Sequence, residues 1–375
     1  MRRTSLTVPF FDLSRQCAEI RSETLGAIEG VLDDQAFVLG PGVARFEAAL
    51  GEHLGGVHAV GCNSGTDALL LSLLALGIGP GDEVITTPFS FLATATVIPR
   101  AGAKPVFVDL APGTFHMNPD ALQAAITPRT KAILPVHLFG SACDIESIVL
   151  IADHCSIPVV EDVAQALGTK VRNRPTGTFG RLGCFSFYPT KNLGAFGDAG
   201  AIVTSDARLE SRLRTLRVHG QTGRYHSDAP GMNSRLDSIQ AAVLLAKLPH
   251  LARWNEARRR HAAFYRAALA EIPFLSLPEE TSDIYATYHQ FVVRAEARNA
   301  LAEHLNRRGI GHAVYYPEPL HLQPALAASG LRPGSMPEAE KACREVLALP
   351  IFPELRESER EEVVLAIREF SAKRS

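Results

Sequence analysis

The stretch that decides the fold is His58-Ala59-Val60-Gly61-Cys62-Asn63-Ser64-Gly65-Thr66-Asp67-Ala68-Leu69-Leu70-Leu71-Ser72-Leu73-Leu74-Ala75-Leu76. Its first five residues read as a short buried strand, and residues 66–76 as a helix apolar on nearly every side. Small residues and hydroxyls between them are a helix start. The same alternation continues to about residue 205. Strands are expected at 83–87, 105–109, 132–137, 158–162 and 201–204, and helices at 91–100, 119–126 and 145–154. Several strands are continuously apolar, as in sheets covered on both faces. The pattern predicts an α/β domain with a largely parallel central sheet flanked by helices and right-handed crossovers. Ligands of such sheets bind beyond the carboxyl ends of the strands.

After Pro249 the texture changes. Residues 250–271 read as a long helix bridging to a smaller α+β C-terminal domain, so the chain divides at 1–249 and 250–375. The run Arg258-Arg259-Arg260 reads as a solvated helix face. A strand is expected at 288–293, a helix at 300–308 capped by Asn299 and ended by Gly309, and helices at 338–347 and 359–370. The aromatic, His- and Pro-rich segment 311–324 reads as a functional loop.

With 375 residues, 46% hydrophobic and 21% charged, the chain is long enough for a large core. Its 38 Lys+Arg against 40 Asp+Glu leave a formal charge of −2. No basic footprint points to nucleic acid. The longest apolar run, residues 68–76, falls far short of the ~20 residues of a membrane span. Arg2 and Arg3 are followed by a segment too short and polar for a signal-peptide core, so a cytoplasmic location is the default. The six cysteines form no Cys-x-x-Cys and are expected to be reduced thiols. No metal-ligand set is visible.

Three motifs could carry chemistry. Asn63–Leu69 opens a helix with small residues, leaving free N–H groups for an anion; a plain N-cap explains the same residues. Glu161-Asp162-Val163-Ala164-Gln165 follows an apolar run and ends a buried strand with two carboxylates pointing to opposite sides. A ligand cation or a structural salt bridge would satisfy either one. Phe185-Ser186-Phe187-Tyr188-Pro189-Thr190-Lys191-Asn192-Leu193-Gly194 sets a lysine among aromatics and glycines. Partial desolvation lowers a lysine's pKa and makes its amine nucleophilic, although a snorkelling lysine fits the same company. Neither the P-loop pattern nor G-x-G-x-x-G occurs.

Taken in order, these motifs with residues 87–94, 186–200, 232–237 and 315–321 resemble the DegT/DnrJ/EryC1/StrS family over about residues 8–352. These are aminotransferases that depend on pyridoxal 5'-phosphate, act on nucleotide-linked keto sugars and have the fold type I (aspartate aminotransferase type) architecture. The resemblance implies that Lys191 forms a Schiff base with the cofactor. It further implies that Asp162 pairs with the pyridine nitrogen, Gln165 meets the phenolic oxygen and Phe91 stacks on the ring. Ser64, Gly65, Thr66 and Ser186 would hold the phosphate. Asn233 would come from the partner subunit, implying a homodimer with shared active sites.

The implied reaction is a ping-pong transamination with L-glutamate as donor and an NDP-linked keto sugar as acceptor, the segment 315–321 looking more like members that aminate a 3-keto position, with a 4-keto sugar as the alternative. Tyr188, His219, Arg224, Tyr315, Tyr316 and His321 lie on stretches that line the family's sugar-nucleotide cleft. Leu167 and Cys143 depart from common family residues without touching the implied chemistry. Lys191 also separates the chain from a dehydratase branch that carries His there. Two other readings stand beside this one. One is a regulatory protein that binds the cofactor without turnover. The other is an enzyme of free amino acids, which would need an arginine such as Arg344 or Arg356 for the α-carboxylate.

Overall fold

The structure, a computed structural model, describes residues 7–373; Arg2 and Arg3 lie outside the described residues. Seven strands build the central sheet: β1 (His58–Cys62), β2 (Glu83–Thr86), β3 (Lys104–Phe107), β4 (Thr130–Leu134), β5 (Val160–Asp162), β6 (Leu182–Ser186) and β7 (Gly200–Thr204). Two ladders, β1-β7-β6-β5 and β3-β2-β4, join through parallel bridges from Ile133 to Val159 and from Val136 to Asp162. All neighbours run parallel except β7, which lies antiparallel to both β1 and β6. The carboxyl ends of β1, β5 and β6 therefore share an edge with the start of β7, where Ser186 pairs with Gly200.

Alternate residues of each strand feed opposite faces of the sheet. Val60, Leu182, Cys184 and Ile202 pack under the helix Gly65–Ala75, while Ala59, Phe185, Ala201 and Val203 pack with Phe46, Phe187 and Leu244. The helix is buried from Asp67 to Leu73, as its apolar run implies. Its buried Asp67 takes a 2.7 Å hydrogen bond from the Ser234 hydroxyl and sits where the helix dipole favours an anion.

The bridging helix is Leu251–Leu269. Leu251 and Trp254 join the large core, and Ala262, Tyr265 and Leu269 join a second core with Phe291, Leu301, Leu349 and Phe352. The division at 249/250 stands as a proposal, because Val8 packs in that second core and bridges Ile310.

Four local expectations are corrected. Arg258 is buried, and its Nη1 donates to the carbonyls of Tyr288, His289 and Ile351 at 3.4, 3.3 and 2.9 Å. The arginine run is thus partly a clamp between helix and small domain. The strand expected at 288–293 starts only at Phe291, because Tyr288 has φ 45° and turns the chain. Asn299 does not cap; the helix starts at Arg298, whose Nε donates to Asn299 Oδ1. The helix expected to reach 347 stops at Glu345, and Val346–Leu349 extends as a strand paired with residues 291–294. Four consecutive buried apolar residues gain more by filling that sheet than by continuing an amphipathic helix. All six cysteines are free thiols. Among the described residues no helix is long and apolar enough to cross a membrane, and no cluster of potential metal ligands occurs.

Candidate active site

A cavity of about 800 Å³ opens at the carboxyl edge of the sheet. Its walls bring together eleven of the expected residues: Ser64, Gly65, Thr66, Phe91, Asp162, Gln165, Ser186, Tyr188, Lys191, Tyr315 and Tyr316.

One wall is the start of the helix Gly65–Ala75. Ser64 caps it, its hydroxyl accepting from the Asp67 amide at 3.1 Å. The first-turn amides of Gly65 and Thr66 have no intrahelical acceptor. Three segments crowd here. A Cβ on Gly65 would lie 2.6 Å from Ser186 Cβ, and one on Gly200 would lie 2.4 Å from the Ser64 backbone. Only glycine lets these segments approach so closely.

Lys191 follows β6 in a tight turn, its amide bonded to the Tyr188 carbonyl at 2.8 Å. It is half-buried on the cavity wall. Desolvation lowers its ammonium to about 8, against the pull of Asp162. Asp162, 4% exposed at the end of β5, takes hydrogen bonds from the Thr94 hydroxyl at 2.8 Å and the Ala164 amide at 3.1 Å. It makes no ion pair among the described residues. Burial, outweighing those donors, pushes its carboxyl above the usual range. Its neighbour Glu161 points to the other side, as expected, and is the structural one of the two. Glu161 accepts from the amides of Gly177 and Gly180, each at 2.7 Å, and lies 2.9 Å from His137 Nε2.

Gln165 bonds at both ends: Oε1 accepts from the Phe139 amide at 3.0 Å and Nε2 donates to the Tyr316 hydroxyl at 2.9 Å. Phe91 precedes the helix Leu92–Arg100 and leaves its ring 58% exposed, 6.4 Å from Tyr316. Its open face is apolar surface on which a flat group could stack.

Four expected residues do not line this cavity. His321 is buried with Nε2 3.2 Å from Glu340, whose carboxylate also takes the Gly334 amide. The acid holds the imidazole away from the cleft, so of the segment 311–324 Tyr315 and Tyr316 line the cavity and His321 does not. His219 and Asn233 are exposed on a segment whose Val218 bridges Asn233. Arg224 stands on the exposed hairpin 221–227, 5.3 Å over the Tyr225 ring. Sequence reasoning missed Ser90, Thr94, His289 and Gln290, which do line the cavity. Thr94 lies inside a motif already singled out, but nothing in a sequence shows that its hydroxyl meets Asp162.

A lysine, a buried acid and an open helix start thus face one cavity at the carboxyl edge of a mostly parallel sheet. The chain belongs to the DegT/DnrJ/EryC1/StrS aminotransferase family, whose model matches residues 18–368. It is 47% identical to a pleiotropic regulatory protein of Geobacillus stearothermophilus, over 97% of this chain and 99% of that one. It is 46% identical to a UDP-N-acetyl-3-dehydro-alpha-D-glucosamine 3-aminotransferase of Acidithiobacillus ferrooxidans, over 96% and 97% respectively. The fold superimposes on S. venezuelae DesV in complex with a ketimine intermediate at a TM-score of 0.95, with 45% identity and coverage of 98% and 99%.

Proposed function

We propose that this aminotransferase uses pyridoxal 5'-phosphate to move the amino group of L-glutamate onto the 3-keto position of a nucleotide-linked sugar. The observation that carries the reading is the meeting, in one cavity, of a desolvated Lys191 with a buried Asp162 that makes no ion pair among the described residues.

The residues fit the cofactor. A protonated ring nitrogen is the partner Asp162 lacks. The Gly65 and Thr66 amides, with Ser186, suit a phosphate at a helix start. Phe91 offers its open face, and the second hydrogen on Gln165 Nε2 is left for the phenolic oxygen. When bound, the cofactor supplies an electron sink for the carbon that loses its proton.

The chain's own side chains do the rest. Lys191 would hold the cofactor through its aldehyde, and once an amino donor has displaced it the same amine would take up and return the α-proton as general acid/base. His289 does not compete for that proton, because burial holds its imidazole well below the ordinary value. Tyr188, Tyr315 and Tyr316 flank the acceptor. This cavity contains no arginine among the described residues. A second copy, joined in a two-fold homodimer, would bring Asn233, His219 and Arg224, with Arg224 meeting the diphosphate bidentately.

The name of the Acidithiobacillus relative, a 3-aminotransferase of a 3-dehydro sugar, supports the 3-keto position, and a 4-keto acceptor is the alternative. The name of the Geobacillus relative favours the second reading, a regulatory protein without turnover. One experiment separates them. L-glutamate should bleach the visible band of the cofactor-loaded protein, and an NDP-3-keto sugar should restore it. A band that survives glutamate overturns the enzymatic reading.

A further inference from the structure

Asp162 has two hydrogen-bond donors, and one of them belongs to a chain of hydroxyls. Thr94 Oγ1 lies 2.8 Å from Asp162 Oδ2, and Ser90 Oγ lies 2.8 Å from Thr94 Oγ1. A carboxylate only accepts, so the single Thr94 proton must point at Asp162. The Thr94 oxygen is then free to accept the Ser90 proton, which gives the chain one direction: Ser90 to Thr94 to Asp162. All three are buried, where such chains polarise and strengthen one another. Thr94 sits in the helix Leu92–Arg100, where a threonine commonly turns its hydroxyl back on its own helix. Here the hydroxyl is spent on a residue 68 positions away instead.

We propose that Thr94, backed by Ser90, is a positioning residue that keeps Asp162 ionised in the buried site, so that the acid can hold a protonated pyridine ring. This rests on the cofactor reading above and adds to it the residues that set the acid's charge. Phe91 lies between Ser90 and Thr94 in sequence. The segment that offers the stacking face therefore also supplies the hydroxyl pair, and ring placement and acid ionisation come from one rigid element.

The test measures binding, not turnover. Apo wild type, Thr94→Val, Thr94→Ser and Ser90→Ala are titrated with pyridoxamine 5'-phosphate, which forms no bond with Lys191, from pH 5.5 to 8.5. Loss of a hydrogen bond to a charged group should weaken binding of Thr94→Val by about 10- to 100-fold. The fall in affinity towards acid pH should also begin at higher pH, because a carboxyl without its donor protonates sooner. Thr94→Ser should restore both, and Ser90→Ala should shift the acid limb in the same direction by less. Thr94→Val binding within twofold of wild type, with an unmoved acid limb, overturns the proposal. If Thr94→Val does not fold, an unmoved acid limb in Ser90→Ala overturns it. Failure of wild type to bind the ligand at all would instead overturn the cofactor reading.

Discussion

Asn192, next to Lys191 in the chain, accepts a hydrogen bond from His289 Nδ1 at 3.1 Å. The direction follows from the other end of the amide. Asn192 Nδ2 gives its hydrogens to Asn255 Oδ1 at 2.7 Å and the Thr287 carbonyl at 3.3 Å, so its oxygen faces the imidazole. His289 is therefore the neutral Nδ1–H tautomer, in keeping with its depressed pKa. Residues from two separate parts of the chain, 255 and 287–289, thus hold the Asn192 side chain beside Lys191. Asn192→Ala leaves buried partners unpaired and should cost about 1–3 kcal/mol of stability, read as a lower urea midpoint with an unchanged m-value.

Lys191→Ala should abolish transamination, since the proposed reaction asks the same amine to hold the cofactor and to move the proton. The wild-type amine also predicts a pH signature. Its reaction with added pyridoxal in the apo protein should rise with pH and level off just above about 8, the value to which burial lowers it. An unperturbed lysine would keep gaining rate to about pH 10. Borohydride trapping followed by peptide mapping gives the rate at Lys191 alone.

Asp162→Asn should also abolish turnover, yet stabilise the apo protein. The sign follows from the raised carboxyl pKa, caused first by burial. Such a group's contribution is fully present below its unfolded pKa, near 3.9, and is lost as pH rises through the folded value. The asparagine has nothing to ionise. Thermal melts of the two apo proteins should therefore diverge in favour of the variant as pH rises from 4 to 8, and parallel curves would contradict the assignment.

Gly65→Ala adds a Cβ 2.6 Å from that of Ser186, so the helix start and β6 must separate. Affinity for inorganic phosphate and for pyridoxal phosphate should fall by about tenfold or more, the effect of moving preorganised donors off an anion. Isothermal titration of the apo protein reads both. Equal loss for free pyridoxal, which carries no phosphate, would assign the damage to the ring pocket.

How far the sequence could be read follows the physics of each element. Strand β1 and the helix Ile145–His154 match their expected bounds, because apolar periodicity and capping residues are local signals. Strand β6 escaped notice: Leu182-Gly183-Cys184-Phe185-Ser186 contains a glycine whose only merit is contact with Gly177, a tertiary fact. The reversed direction of β7 was equally invisible, since periodicity carries no sense of direction. In the site, the expected cradle, lysine, Asp162 and ring-facing phenylalanine came together in one cavity. Arg258 and His321 went the other way, because each is claimed by a tertiary partner, the Ile351 carbonyl 93 residues on and the half-buried Glu340 19 residues on. Long-range claims of this kind leave no mark on spacing.

The one reversed strand explains how a long side chain can be a precise tool. The chain leaves the sheet at Ser186, passes Lys191 and re-enters at Gly200, its hydrogen-bonded neighbour. A parallel re-entry would have carried the backbone to the far edge and back. Instead Lys191 rides on a loop with both feet planted side by side, a short handle whose reach is set by the sheet itself. The amine at the end of that handle is thereby kept beside Asp162 and the helix start that share its cavity.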